Sequence, residues 1–593
     1  MKINILKPWL AASLAALSIA SNAQNLDPTV VVNRTYEGKL LEVHKPVIEM
    51  AVPDSVQQFN LDFDYDVFEN PYKGSYDFKP YQLLLKPVSS DVDMPALWLK
   101  AGAGYTLHPE LGLVWTPVKA GPFKMNVYAD YGAYFGKYRN IAPKLAEGSR
   151  NEIVLDKTLA SDGRNELWNG YRMTANAGVD GRYDWERSAF SFDLGYFGVA
   201  SDQQKAEKGR FYNALELKLD MAAKPRSKSY FHYGVGIDYR YGNDRLDNRY
   251  DKLSTVSEHD FSFNATLGPT LSASSRLLFD VGLDYLGYGG ALEAAVSQLR
   301  FAPHYVVDKG VWNLDLGLKV AKIFRLTESQ CYNAKEQVVY PDVKIKLAAV
   351  PEALAIYLHA GGGNTLDTYS SLIRRNNFVA PEFAYDRTVI DGRYAFGLLD
   401  ATVERLALKL GFDGRISKRF TYDLYGGYVI YASGLLDAVQ PANYGMIDFD
   451  CAPAYRYASY SKLFAGLDWK WHAERIVFDG TAEYNHAIGL DTAYGCFAPA
   501  AFTGDVEFEY NWSRRVFAGV DCVFSTARKA AVDNEHHVVL PGFADLGVSA
   551  EYAVNRKLSL WLRGGNLLNM TVQYSPLYAE RGINFTGGIR LKL

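Results

Sequence analysis

From about residue 95 to the C-terminus, apolar and polar side chains alternate with a period of two, in segments of roughly 10 to 15 residues. Phe502, Val506, Phe508, Tyr510 and Trp512 share one face of such a segment, and Thr503, Asp505, Glu507, Glu509 and Asn511 share the other. Leu406, Leu408, Leu410 and Phe412 oppose Ala407, Lys409 and Asp413, and Ile476, Phe478 and Tyr484 oppose Asp479, Thr481, Glu483 and Asn485. The pattern predicts about 22 strands. They are longer than the usual soluble strand of about 5–6 residues. Connections after even-numbered strands are tight, as at Asp184-Trp185-Glu186, Arg415-Ile416-Ser417 and Val554-Asn555-Arg556. Connections after odd-numbered strands are mostly longer, the longest at 363–400, with the one near residue 107 as the exception.

A soluble sandwich has no reason to sort its loops by parity. An outer-membrane barrel does, with short periplasmic turns and long extracellular loops. The expected fold is therefore all-β: a transmembrane antiparallel β-barrel over 95–593, its apolar face against outer-membrane lipid and its polar face lining the lumen. An even strand number returns the C-terminus to the periplasm beside the N-terminus. The 42 Tyr and 50 Gly suit interfacial aromatic belts and tight turns. The C-terminal segment carries the same signal, with Phe585, Ile589, Leu591 and Leu593 on one face.

The N-terminus reads differently. Lys2 and Lys7 precede the short apolar run Trp9 to Ala20, and Ser21-Asn22-Ala23 is a small-x-small cleavage site. Residues 1–23 are thus expected to be a signal peptide, placing the protein in the outer membrane of a Gram-negative bacterium. Residues 24–94 fall outside the alternating rhythm and are polar, with Pro28, Pro46, Pro53, Pro71, Pro80 and Pro87. They are expected to form a periplasmic or lumen-entering extension. Its one β-prone run, Thr29-Val30-Val31-Val32, is suited to adding a strand to a partner's sheet.

Little in the sequence suggests chemistry. There is no G-x-S-x-G, H-E-x-x-H or Walker pattern, and Gly102, Gly104 and Gly361 to Gly363 precede no helix of a βαβ unit, so they are expected in barrel strands. His536 and His537 are adjacent in a loop without converging ligands. No catalysis, cofactor or metal is expected. A net charge of −4 offers no basic field for nucleic acid. Cys331, Cys451 and Cys496 fall in long loops, and Cys522 lies near the outer end of its strand. All four map to the extracellular side, which permits one or two disulfides of undetermined pairing. Tyr444, Tyr455, Tyr457 and Tyr460 cluster in or beside an expected loop at 433–458. They offer a surface to a nutrient or surface lipoprotein, or they pack the loop on itself.

The C-terminal region resembles the barrel of TonB-dependent receptors, through Leu558 to Arg563, Asn566-Leu567-Leu568-Asn569, and Gly582-Ile583-Asn584-Phe585 leading into the last strand. The chain ends in Leu593 where that family commonly ends in an aromatic. Thr29 to Val32 resembles a TonB box. The family carries a plug of well over a hundred residues, whereas 24–94 shows none of its motifs. The resemblance implies energised uptake through a TonB-like partner. The missing plug motifs suggest instead an accessory scaffold in an outer-membrane complex, such as a barrel-assembly or lipoprotein-export machine. A passive porin-like channel is the third alternative. So wide a lumen needs a filling: residues 24–94, an inward-folded loop such as 363–400 or 138–168, or a partner.

Overall fold

The computed structural model describes residues 96–593, except 106, 203–208, 225–229, 247–253, 291–293, 326–337, 352, 379–387, 391–392, 396–398, 441–451, 491–492 and 533. The expected signal peptide, the extension 24–94 with Thr29 to Val32, and Cys331, Tyr444 and Cys451 lie outside the described residues.

The alternating segments form one closed antiparallel sheet of 22 strands, from Leu97–Tyr105 to Asn584–Lys592. Each barrel strand pairs with the next along the chain. The seam closes first strand on last, from Trp98↔Lys592 to Tyr105↔Phe585. The seam is tight at Gly104, where a Cβ would run into the His108 ring and the Phe585 carbonyl oxygen. The fold class and strand number expected from the alternation are those observed. Among the described residues no helix is long and apolar enough to cross a membrane.

Alternation becomes sidedness once the ring closes. Leu408, Leu410 and Phe412 are exposed on the outer face, as are Leu463, Leu467, Phe508 and Val520. The intervening positions point inward and pair their charges across strands: Lys346 with Asp413 at 2.8 Å, Arg300 with Asp284 at 2.8 Å, Lys100 with Glu110 at 3.0 Å. An apolar belt outside and a charged lining inside is the arrangement hydrocarbon demands, because every backbone group is satisfied within the ring. Leu410→Arg is therefore expected to destabilise the barrel by about 2–4 kcal/mol, the cost of a cation on the lipid face at mid-depth. Lys409→Leu, one residue away in the lumen, should not show that cost. Unfolding by denaturant in lipid vesicles measures the difference.

Of the C-terminal residues singled out above, Leu591 is half-buried. Phe585, Ile589 and Leu593 are exposed on the outer face, and Leu593 exchanges backbone hydrogen bonds of 2.8 and 2.9 Å with Leu97. Gly361 and Gly363 flank a β-bulge in the barrel strand Leu354–Leu366. The expected loop at 433–458 is shorter than its composition suggested. Its flanks continue as the 21-residue strands Phe420–Gln440 and Ala452–His472, paired out to Gln440↔Ala452. These strands run on past the length a bilayer requires because their far ends are buried against other loops, which supplies the burial that lipid does not.

Candidate functional site: the capped mouth and the cavity beneath it

The long loops do not splay outward. The connection between strands Leu354–Leu366 and Ala401–Ser417 holds a helix of about two turns, Tyr369–Arg375. Thr368 caps it by accepting from Ser371 N at 3.1 Å, and Arg374 and Arg375 sit in the last turn, where the helix dipole favours cations. Tyr369, Ser370, Leu372 and Ile373 are buried. Nothing in a single surface loop could bury them. They are covered by inward-facing residues of distant barrel strands: Phe197, Val199, Tyr212, Ala214, Val256, Leu286 and Tyr288.

Polar anchors fix this contact. Arg210 and Asp244, on neighbouring strands, form an ion pair of 3.2 Å with both side chains at 0% exposure. The Tyr369 hydroxyl donates to Asp244 at 2.5 Å, and Arg210 donates to the Asn377 carbonyl at 2.9 Å. Ser370 N donates to Glu258 at 2.9 Å, and Tyr369 N to the Tyr288 hydroxyl at 3.1 Å. Arg374 pairs with Glu216 and lies over the Phe197 ring. From the other side, Arg375 meets Asp437 at 3.0 Å. Phe378 then stacks on Tyr578 of the last loop with ring centres 4.2 Å apart. The segment thus touches strands on both sides of the ring and crosses its mouth.

Two hairpins complete the cover. Ile141–Leu145 with Glu152–Lys157, and Arg528–Ala531 with His537–Leu540, join through the parallel pairing of His537↔Glu152 to Val539↔Val154. They share a core containing Ile153, Leu155, Val538, Leu540 and Leu577. His537 is thereby a strand residue of this small sheet. The last loop is shaped by the Asn566-Leu567-Leu568-Asn569 motif. Asn566 and Asn569 both adopt left-handed backbone, with φ of 48° and 53°, a conformation asparagine tolerates better than most residues. The Asn566 side chain accepts from Met570 N at 3.0 Å and donates to the Arg581 carbonyl at 3.1 Å, bracketing the loop. Arg139 donates to the Asn569 carbonyl at 3.0 Å, and Arg172 forks onto Glu580 at 3.0 and 2.9 Å.

Beneath this cap lies a cavity of roughly 440 Å³, between the loops and the inner wall formed by Thr481, Thr503, Asp505 and Val523. Its roof includes Phe378, Asp437, Arg528, Gln573 and Tyr574. Arg528 reaches Asp437 at 2.7 Å, so Asp437 is held between two guanidinium groups.

Of the residues singled out in sequence, Tyr455 is buried in the cap core, and Tyr457 donates to Asp367 at 2.9 Å while accepting from Asp400 N at 3.0 Å. Tyr460 stacks on Tyr431 with ring centres 4.7 Å apart. These tyrosines bind the loops together. Cys496 is buried in a loop bridged to Ala438, and Cys522 pairs in register with the outward-facing Val506 and Leu546. The structure does not bring those two thiols together. Sequence reading missed the cap helix and both hairpins. The available signal was Thr368 three residues before Ser371, followed by two basic residues.

Asp367, at the foot of the cap segment, adds a pH dependence. Burial pushes its carboxyl up to about 6, against the lowering effect of hydrogen bonds from Thr402 and Tyr457. The folded state therefore holds a proton that the unfolded chain has released above about pH 4. Cap stability should fall as pH rises from 4 to 6 and level off above. Asp367→Asn should flatten that profile, as read by protease cleavage within 367–378 across the range.

The closed ring of 22 strands, with an apolar belt outside and loops folded inward over its mouth, is a large antiparallel β-barrel whose fold is similar to that of solved transporter and receptor structures. The FrpB iron transporter from Neisseria meningitidis superposes with a TM-score of 0.60 at 9% identity, covering 84% of this chain and 81% of that one. The siderophore receptor PirA from Acinetobacter baumannii gives 0.55 at 9% identity, covering 84% and 80%. A mutant of the ferric enterobactin receptor PfeA from Pseudomonas aeruginosa gives 0.54 at 11% identity, again covering 84% and 80%. At such identities the likeness is one of fold. No protein-family model matches the chain, and neither does any curated protein sequence.

Proposed function

We propose that this protein takes up a solute across the outer membrane through a lumen its own loops keep closed at rest. The observation that carries this reading is the cap: the segment 367–378 crosses the mouth and is anchored on both sides of the ring. A barrel of this strand number would otherwise be a wide channel. A passive pore has no use for such a closure, whereas a gated carrier does. The fold neighbours, an iron transporter, a siderophore receptor and a ferric enterobactin receptor, support uptake. In this reading the loops face outward and both termini lie in the periplasm. A TonB-like partner pairs with Thr29 to Val32 and supplies the work of opening.

A second reading, a structural subunit of an outer-membrane assembly or lipoprotein-export machine, is favoured by one feature of the same cap. It is anchored by an ion pair with no exposed surface, which suits a permanent closure as well as a gate. Deleting residues 24–34 separates the two. Uptake predicts that energised accumulation of solute disappears while the barrel still inserts. The scaffold reading predicts no such loss, and native purification of the wild-type barrel with other outer-membrane proteins attached.

A further inference from the structure

The two ends of the barrel differ in charge. The ten short connections, from 119–122 round to 554–557, hold eleven Lys or Arg against two Glu among their described residues. The whole chain carries 63 Lys and Arg against 67 Asp and Glu, so composition alone would give parity. The connection 140–166 at the other end keeps to that parity, with four Lys or Arg and five Asp or Glu. Solvation of a turn accepts either sign, so it does not explain the excess. The excess is densest in four successive hairpin turns, at 418–419, 473–475, 513–515 and 554–557, which hold seven Lys or Arg against Glu474 alone. Two strands separate each turn from the next, a spacing of about 10 Å. That is close to the screening length at physiological salt, so neighbouring turns reinforce one another's field.

The cations are held in place. Three of these turns carry them in exposed adjacent pairs, Lys418-Arg419, Arg514-Arg515 and Arg556-Lys557. A side chain fixes the backbone of each: Ser417 Oγ accepts from Arg419 N at 3.2 Å, Asn511 Oδ1 from Arg514 N at 2.8 Å, and Asn555 Oδ1 from Lys557 N at 2.8 Å. Ser513 and Arg514 take left-handed backbone, with φ of 57° and 60°, where Asn and Gly form a hairpin turn with less strain. Arg514 meets Glu474 at 3.4 Å with both side chains largely exposed, a contact worth little in water. The outer face marks the level at which these turns stand. Trp471, Trp512 and Tyr552 are exposed on it one or two residues from a turn, and such rings settle at the headgroup layer of a bilayer.

We propose that this arc of the short-turn rim binds the phosphate groups of anionic phospholipid in the leaflet it faces. Guanidinium groups fork onto phosphate oxygens and ammonium groups meet them as point charges, both at the depth set by the aromatic rings. A zwitterionic headgroup carries its own cation beside the phosphate and gains less from the arc. The proposal names a partner of the uptake barrel and rests on that barrel's spanning a membrane with its short turns in the periplasm, which makes the leaflet the inner one.

The test uses the full chain reconstituted into phosphatidylcholine vesicles with a trace of spin-labelled phosphatidylglycerol or spin-labelled phosphatidylcholine. The fraction of each label immobilised at the protein surface is read by electron paramagnetic resonance. Phosphatidylglycerol should associate about threefold more than phosphatidylcholine at low salt, and the preference should fade in about 1 M salt. Changing Lys418, Arg419, Arg514, Arg515, Arg556 and Lys557 together to Gln should remove most of it while heat-modifiable gel mobility shows the barrel intact. Arg150→Gln with Arg164→Gln, at the other end, should leave it unchanged. Equal association of the two lipids, which a rim turned towards a soluble acidic protein would give, overturns the proposal. So does a preference that survives salt, or one that survives the six substitutions in an intact barrel. A chain that enters no vesicle would instead sink the membrane reading, and insertion without energised uptake would sink the uptake reading and leave this proposal standing.

Discussion

Replacing residues 367–378 with a Gly-Ser linker is expected to turn a closed barrel into an open one. In planar bilayers the wild-type protein should hold a closed baseline, and the variant should conduct more by roughly an order of magnitude or greater, as a barrel of this width permits. The expectation rests on where the segment is anchored. Its helix covers Tyr212, Val256 and Leu286 on one side of the ring, and its C-terminal end reaches Asp437 and Tyr578 on the other. Removing it takes away the piece that crosses the mouth. The barrel strands do not depend on it, because each is paired on both edges by other barrel strands. The variant should therefore keep its heat-modifiable mobility. Unchanged conductance in an intact barrel would mean that something other than the cap closes the lumen.

The second large effect is expected at the cap's deepest anchor. Arg210 and Asp244 have no exposed side-chain surface and share the Tyr369 hydroxyl, which donates to Asp244 and accepts from Arg210. Taking one charge away strands the other in a medium that solvates it poorly. Arg210→Met or Asp244→Asn should each loosen the cap by about 3–5 kcal/mol, whereas the double change to apolar residues should cost far less, because no charge is left uncompensated. The loss should appear in the cap and not in the barrel. Protease cleavage within 367–378 should accelerate in the single variants and return towards wild type in the double, with the barrel's unfolding transition unmoved. Equal sensitivity in all three variants would show that the pair does not hold the cap.

The barrel was legible in the sequence because a strand's side chains change face at every residue, so one buried or lipid-facing surface writes a period of two into the chain. Leu408, Leu410 and Phe412 against Lys409 and Asp413 is that record, and the face assignment survives errors of a residue or two at strand ends. The parity of the loops was legible for a similar reason, since hairpins on one side of a membrane need no length. The cap was not. Tyr369, Leu372 and Ile373 look like exposed loop residues until the strands that cover them are known to curve round to the same place. Their partners Arg210, Asp244 and Tyr288 are scattered over some eighty residues of sequence, and no spacing rule connects them. The tyrosines at 455, 457 and 460 drew attention as loop aromatics, but their strands extend further than lipid contact requires, and the rings are spent on holding loops together. The motif Asn566 to Asn569 was read as a family likeness, and its physical basis is two left-handed asparagines that turn the last loop back across the mouth.

The most direct test of the account places a nitroxide label in turn at positions 410 and 409, in barrels reconstituted into lipid vesicles. Collision rates are then measured with oxygen, which partitions into hydrocarbon, and with a water-soluble nickel chelate. A label replacing Leu410 should meet oxygen and be shielded from nickel, and a label replacing Lys409 should not show that hydrocarbon signature. If both labels met the nickel chelate equally, the outer face would be wet and the chain would not be a membrane barrel.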